Sequence, residues 1–139
     1  MAKSTRRLPL PQAQAFVICR EIWHNDRSNE FLLASPLSHL PIDQFPALVT
    51  VSVYAHITGG HGEYTLDFLL RNAANDTVWS WSPQAPLQHE DPLMPQQVAF
   101  HDLVLEVPSP GRYELAMLVG GEEIGRQPMI FGTRDMLDL

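Results

Sequence analysis

Between Val49 and Ile57 every second residue is apolar: Val49, Val51, Val53, Ala55 and Ile57 share one parity, and Thr50, Ser52, Tyr54 and His56 share the other. A side-chain period of two belongs to a β-strand with one face on a core and one in water. Tyr64 to Arg71 alternates in the same way, and Gly59-Gly60-His61-Gly62 separates the two runs. Glycine accepts positive φ without a Cβ clash, so this connection suits a hairpin loop. Setting Thr58 against Glu63 then places Ile57 opposite Tyr64, His56 opposite Thr65 and Tyr54 opposite Asp67, and apolar residues meet apolar ones throughout.

A second hairpin is expected from Tyr113, Leu115, Met117 and Val119, with Gly120-Gly121 as a two-residue turn and Ile124 returning opposite Met117. Pro108-Ser109-Pro110-Gly111 closes the strand before it, Val98 to Val107. Within that strand the apolar parity changes between Val98, Phe100 and Leu103, Leu105, Val107, which predicts a β-bulge at His101-Asp102. Phe16 to Trp23 is apolar on both parities, as for a covered strand, with Phe31 to Ala34 a short partner and Val78 to Trp81 a further strand. Pro128 gives no ladder donor and assigns Gln127 to Phe131 to an edge or bulge. No window sustains a helical period of 3.6. The pattern predicts an all-β, antiparallel β-sandwich of seven to eight strands, immunoglobulin-like in general architecture.

At 139 residues and 45% hydrophobic content, the chain has the size and composition of one folded domain. The reading divides it into an N-terminal basic and proline-rich segment, residues 1–12, a domain over 13–131 and a tail over 132–139. A net charge of -7 argues against binding nucleic acid. The one basic excess, Lys3, Arg6 and Arg7, lies in the terminal segment. Cys19 is the sole cysteine, and no uninterrupted apolar run is long enough to span a bilayer. These features imply a reduced, cytoplasmic setting and no membrane partner.

Phe45-Pro46 before a long strand, Gly60-His61-Gly62-Glu63-Tyr64, Gly111-Arg112-Tyr113, and the opening run Ala15-Phe16-Val17-Ile18-Cys19 together resemble a family of small bacterial β-sandwich proteins whose function is not established. The resemblance spans residues 13–131 and departs from the family at Arg20-Glu21 and Asn75-Asp76. It implies the fold and brings no catalytic residues.

Candidate chemistry is sparse. His56, His61, Glu63, His89, Glu90, Asp91 and His101 are donors of the right type for zinc, iron or manganese, but their spacing matches no recognised ligand motif. No Gly-x-Ser-x-Gly elbow marks a nucleophile, Gly59-Gly60-His61-Gly62 lacks the rest of a phosphate loop, and Cys19 sits in an apolar run as an inert thiol. Trp79 and Trp81 share one strand face and suit a sugar ring where that face is exposed.

The proline-rich stretch Ser82 to Gln96 is long for a connection, and proline lowers the entropy cost of ordering it against a partner. It therefore supplies the expected partner-binding set: Leu87, His89, Glu90, Asp91, Leu93 and Met94. The flat polar face of Thr50, Ser52, Tyr54, His56, Thr65, Asp67 and Arg71 is the competing surface. The expected function is a noncatalytic protein-interaction or structural module with an unknown protein partner, no cofactor and no metal, compatible with a homo-oligomer. The alternatives are a metal-dependent enzyme using the histidine and carboxylate ligands, and a carbohydrate-binding domain.

Overall fold

The computed structural model describes residues 10–137, and no helix occurs among them. Eleven strands follow in order: β1 (Gln12–Asn25), β2 (Glu30–Pro36), β3 (His39–Pro41), β4 (Ala47–Thr58), β5 (Gly62–Tyr64), β6 (Leu66–Asn72), β7 (Thr77–Trp81), β8 (Leu87–His89), β9 (Gln96–Val107), β10 (Gly111–Val119) and β11 (Glu122–Gly132). This exceeds the expected seven to eight, because β3, β5 and β8 are three-residue strands too short to leave an alternating pattern. The strands form a four-stranded sheet ordered β2-β1-β4-β9, a five-stranded sheet ordered β3-β11-β10-β6-β7, and the pair β5-β8. Pairing is antiparallel except between β3 and β11, which run parallel. Lys3, Arg6 and Arg7 lie outside the described residues.

The alternation places the side chains as expected. Val49, Val51, Val53, Ala55 and Ile57 are buried, and so are Leu66, Phe68 and Leu70. One apolar cluster joins residues of both large sheets, including Val51 and Leu105 from the first and Phe68, Leu115 and Phe131 from the second. Each such side chain contributes about 1.5–3 kcal/mol on leaving water.

The expected hairpin between the Val49 and Tyr64 runs does not form. β4 pairs with β1 and β9, whereas β6 pairs with β10 and β7, so the chain changes sheets between Thr58 and Leu66. Apolar matching alone does not choose the neighbour, since Val51 opposite Leu103 and Leu70 opposite Leu115 satisfy it equally well. The polar face read as one surface is consequently two: Thr50, Ser52, Tyr54 and His56 belong to the four-stranded sheet, while Asp67 and Arg71 belong to the five-stranded sheet.

The β10–β11 hairpin does form, with Gly120 and Gly121 both at positive φ, 60° and 82°, as a two-residue primed turn requires. Its register differs by one residue from the expected one. Met117 faces Gly125 and Leu118 faces Glu123, which leaves Ile124 as an extra residue.

The bulge at His101-Asp102 is present. Val51 pairs with Leu103 and Val53 with Phe100, so Ser52 faces two residues. Asp102 adopts φ 56°, and its N–H donates to Ser52 Oγ at 3.3 Å. A left-handed conformation costs a β-branched side chain roughly 1–2 kcal/mol, and nothing for glycine. Asp102→Val is therefore expected to lower the thermal midpoint by several degrees, while Asp102→Gly holds or raises it. Equal midpoints for the two variants, measured by calorimetry, would contradict the bulge geometry.

Two features depart from flat, separate sheets. First, β1 pairs His24 with Phe31 and Val17 with Tyr54, seven positions apart, yet the Phe31 and Tyr54 rings lie 5.5 Å apart. A straight strand would separate those positions by roughly 23 Å. The end of β1 and β2 thus curl back over the four-stranded sheet, where Cys19 and Ser52 are buried. Second, Gln127 on β11 reaches across to that sheet. Its Oε1 accepts from the Ile18 N–H at 3.0 Å and its Nε2 donates to the Leu37 carbonyl, while Leu37 N–H bonds Ile18 O at 2.8 Å. The amide fills the place of the reciprocal backbone bond between Ile18 and Leu37. Pro128, read as an edge or bulge residue, lies opposite Glu114 in the strand that carries this bridge.

Candidate functional site

The stretch 82–96 is an ordered structure built around His89. Ser82 Oγ donates to Asp67 Oδ1 at its start. Leu87 then enters the core, and β8 pairs with β5 through Gly62–His89, Glu63–Gln88 and Tyr64–Leu87. The stretch also walls a groove of about 550 Å³ against β9, lined by Leu66, Pro83, Pro86, Leu87, Val98 and Phe100 among others.

His89 is 3% exposed and its two ring nitrogens are both engaged. The Gly60 N–H donates to Nδ1 at 2.9 Å, and Nε2 lies 2.8 Å from the Met94 carbonyl. A backbone N–H only donates and a carbonyl only accepts, so the ring is the Nε2–H tautomer. The imidazole ties the Gly60 turn to the far end of the 90–94 segment.

That segment folds from its own sequence. Asp91-Pro92-Leu93-Met94 has aspartate first and proline second, the order favoured in a type I turn. The Met94 N–H closes the turn on Asp91 O at 3.0 Å, and Asp91 Oδ1 accepts the Leu93 N–H at 2.9 Å. Gly59 N–H donates to Pro92 O at 3.2 Å, and His61 Nδ1 to Glu90 O at 2.7 Å. The Tyr64 hydroxyl accepts the His61 N–H at 2.8 Å and so steadies the Gly60 turn. The carbonyls of Glu90, Asp91, Pro92 and Met94 are all used, so the backbone is held from within while two large apolar side chains project outward. Leu93 is 88% exposed and Met94 61%. Glu90 and Asp91 are exposed beside them.

No family model matches this chain, and no curated protein matches it.

Of the six residues expected to bind a partner, the structure brings Glu90, Asp91, Leu93 and Met94 to the surface of one turn, and turns Leu87 and His89 inward. The histidine and carboxylate candidates do not converge. Among the described residues no group of three His, Cys, Asp or Glu side chains is placed to hold a metal ion. His89 has no lone pair to offer, since Nδ1 accepts a backbone proton and Nε2 carries one. Glu63 accepts from Gln88 Nε2 at 2.9 Å, His56 faces Gln97 on the outer side of β4, and His101 sits at the bulge.

Trp79 and Trp81 pair with Leu70 and Phe68 and share their core-side parity. Trp79 is half-buried and packs against the core, whereas Trp81 stacks one face on Phe68 at 6.0 Å between ring centroids and stays 39% exposed, so the two rings do not form one open platform. Cys19 is fully buried, with Sγ 3.7 Å from Ser52 O, and burial pushes its thiol above the usual range, as for an inert sulfur. No helix of the described residues is long and apolar enough to cross a membrane.

Sequence reasoning missed the roles of His89 and Gln127. The signal for His89 was indirect: Gly60 stands where a Cβ would be 2.6 Å from His89 Nδ1, but only the fold reveals which ring occupies that space.

Proposed function

We propose that the chain is an antiparallel β-sandwich, immunoglobulin-like in general architecture, that works as a noncatalytic interaction module and meets a protein partner through the His89-braced turn 90–94. The two large sheets sharing one core support the architecture. So does Tyr113, buried near the start of β10, whose hydroxyl donates to Ser109 O at 2.6 Å. A strand-start tyrosine bonded to backbone a few residues upstream is a recurring corner of such sandwiches. The unpaired Cys19 fits a reducing, cytoplasmic setting.

The observation that carries the functional reading is the pairing of a braced backbone with exposed Leu93 and Met94. A contact surface already ordered before binding loses little conformational entropy on association. Two apolar side chains beside two carboxylates fit a partner with an apolar pocket rimmed by basic residues.

The test compares association of the native chain with that of a Leu93→Ser/Met94→Ser variant, using a partner first isolated from the native host. Leu87 stays untouched because it is in the core. Binding is expected to weaken by at least about tenfold, the scale of losing central apolar anchors, with the thermal midpoint unchanged. Retained binding in this variant, with loss in Tyr54→Ala or Arg71→Ala, would move the contact to an outer sheet face and refute the turn.

A further inference from the structure

β2 is the terminal strand of its sheet, and nothing among the described residues pairs with its outer side. Such an edge offers unpaired N–H and C=O groups, and proteins ordinarily guard it with charge, proline or a covering element. Here the guards stand at the ends, Glu30 at one and Pro36 at the other, where Ser35 also turns to φ 54°, and Phe31-Leu32-Leu33-Ala34 before it is uncharged. Leu32 is 64% exposed, and its cross-strand neighbour Trp23 on β1 is 52% exposed. Two large apolar side chains therefore lie side by side in water, next to an open strand edge.

We infer that this edge pairs antiparallel with the same edge of a second copy, about a two-fold axis through Leu32. A two-fold axis relating two antiparallel edges passes between identical residues, so each candidate register is set by one central residue. With the axis at Leu32, Leu32 meets Leu32, Phe31 meets Leu33 and Glu30 meets Ala34. With the axis at Phe31, Leu32 meets Glu30 and Leu33 meets Asn29. With the axis at Leu33, Phe31 meets Ser35 and Glu30 meets Pro36, which has no N–H to give. Only the Leu32 register keeps Phe31, Leu32 and Leu33 all opposite apolar partners, and it sets no like charges face to face.

Residues 20–36 hold two cations, Arg20 and Arg27, and three anions, Glu21, Asp26 and Glu30, a net charge of −1 that is in proportion to the −7 of the whole chain. Two copies meet here across one net charge each, and the Leu32 register sets Glu30 opposite Ala34 rather than opposite the second Glu30. The join also makes one row of Trp23, Leu32, Leu32 and Trp23 across the axis and covers the apolar area each copy leaves exposed. A contact of one strand pair is at the small end of stable interfaces, so the dimer exchanges with monomer.

Sedimentation velocity over a dilution series reads the prediction. The native chain is expected to shift from monomer to dimer as concentration rises. Leu32→Lys, which sets like charges on the axis at an exposed site, weakens dimerisation by at least about tenfold with an unchanged thermal midpoint. A positive control avoids reliance on loss alone. Residues directly opposite across an antiparallel pair have Cβ atoms about 4.5–5.5 Å apart, near disulfide reach, so Leu32→Cys gives a covalent dimer on mild oxidation and Leu93→Cys does not. A native chain that is monomeric throughout, a dimer that survives Leu32→Lys, or equal cross-linking of the two cysteine variants would overturn the inference. So would a monomer that captures an extended peptide in a Leu32-dependent way, which would give the edge to a foreign strand.

Discussion

Gly60→Ala is expected to lower the thermal midpoint by roughly 10 °C, the consequence of about 2–4 kcal/mol lost from a domain of this size. A Cβ at this position would lie 2.6 Å from His89 Nδ1 and 3.1 Å from Pro11 Cβ. The imidazole has nowhere cheap to go. It is buried, its Nδ1 accepts the Gly60 N–H, and its Nε2 donates to Met94 O, so displacing the ring breaks both bonds and leaves buried polar groups unpaired. The damage should spread to the 90–94 turn, which His89 holds at its far end. Amide hydrogen exchange is expected to show loss of protection at Met94, whose N–H closes the turn on Asp91, before the four-stranded sheet responds. His89→Phe provides the comparison: it fills the same space without the two bonds, and it is expected to lose the turn while keeping more of the midpoint. A Gly60→Ala midpoint within about 2 °C of the native chain would remove His89 as the brace.

The turn shows how far the sequence reaches. Leu93, Met94, Glu90 and Asp91 were legible as a candidate contact because proline and acidic residues crowd a stretch between strands, and Asp91-Pro92 carries its turn type in its own side chains. Burial of Leu87 was not legible because β8 is three residues long, and the one apolar residue of Leu87-Gln88-His89 carries no period. Burial of Leu87 depends on β5 lying beside it. His89 looked like a metal ligand in the sequence for the same reason that it makes a good brace: imidazole has a donor and an acceptor on opposite sides of one ring. Which role it takes is decided by Gly60 and Met94, separated from it by twenty-nine and five positions.

The fold divides along the same line. Local periodicity placed Val49 to Ile57 and the β10–β11 hairpin on their faces, and the parity change at His101-Asp102 located the bulge, because each depends on residues close in sequence. Partner choice does not. Glycines after Ile57 read as a hairpin loop, but those glycines serve the close approach of His89 and a crossing between sheets. The curl of β1 and β2 left no mark in the pattern either, since Phe31 and Tyr54 meet only through the path of the strand between them.

Gln127 is the position where one side chain joins the two sheets, and replacing it is expected to have a pH-dependent effect that a packing residue would not give. In Gln127→Glu one carboxylate oxygen still accepts the Ile18 N–H, but the other faces the Leu37 carbonyl, where the amide had donated. Two acceptors then oppose each other, which costs about 2–3 kcal/mol at neutral pH. Protonating the carboxyl restores a donor toward Leu37 O. The folded variant therefore holds that proton more tightly than the unfolded chain does, which raises the side chain's pKa in the folded state. The sign follows: the deficit relative to the native chain is smallest below about pH 4, where both states of the variant are protonated, and grows as pH rises toward about pH 7. Gln127→Leu, which strands the Ile18 N–H and the Leu37 carbonyl alike, should lose a similar amount at every pH. Denaturant unfolding of both variants and the native chain at the two pH values reads the difference. A Gln127→Glu deficit that stays constant across that range would mean that the amide does not bridge Ile18 and Leu37, and that the two sheets are joined at this seam by packing alone.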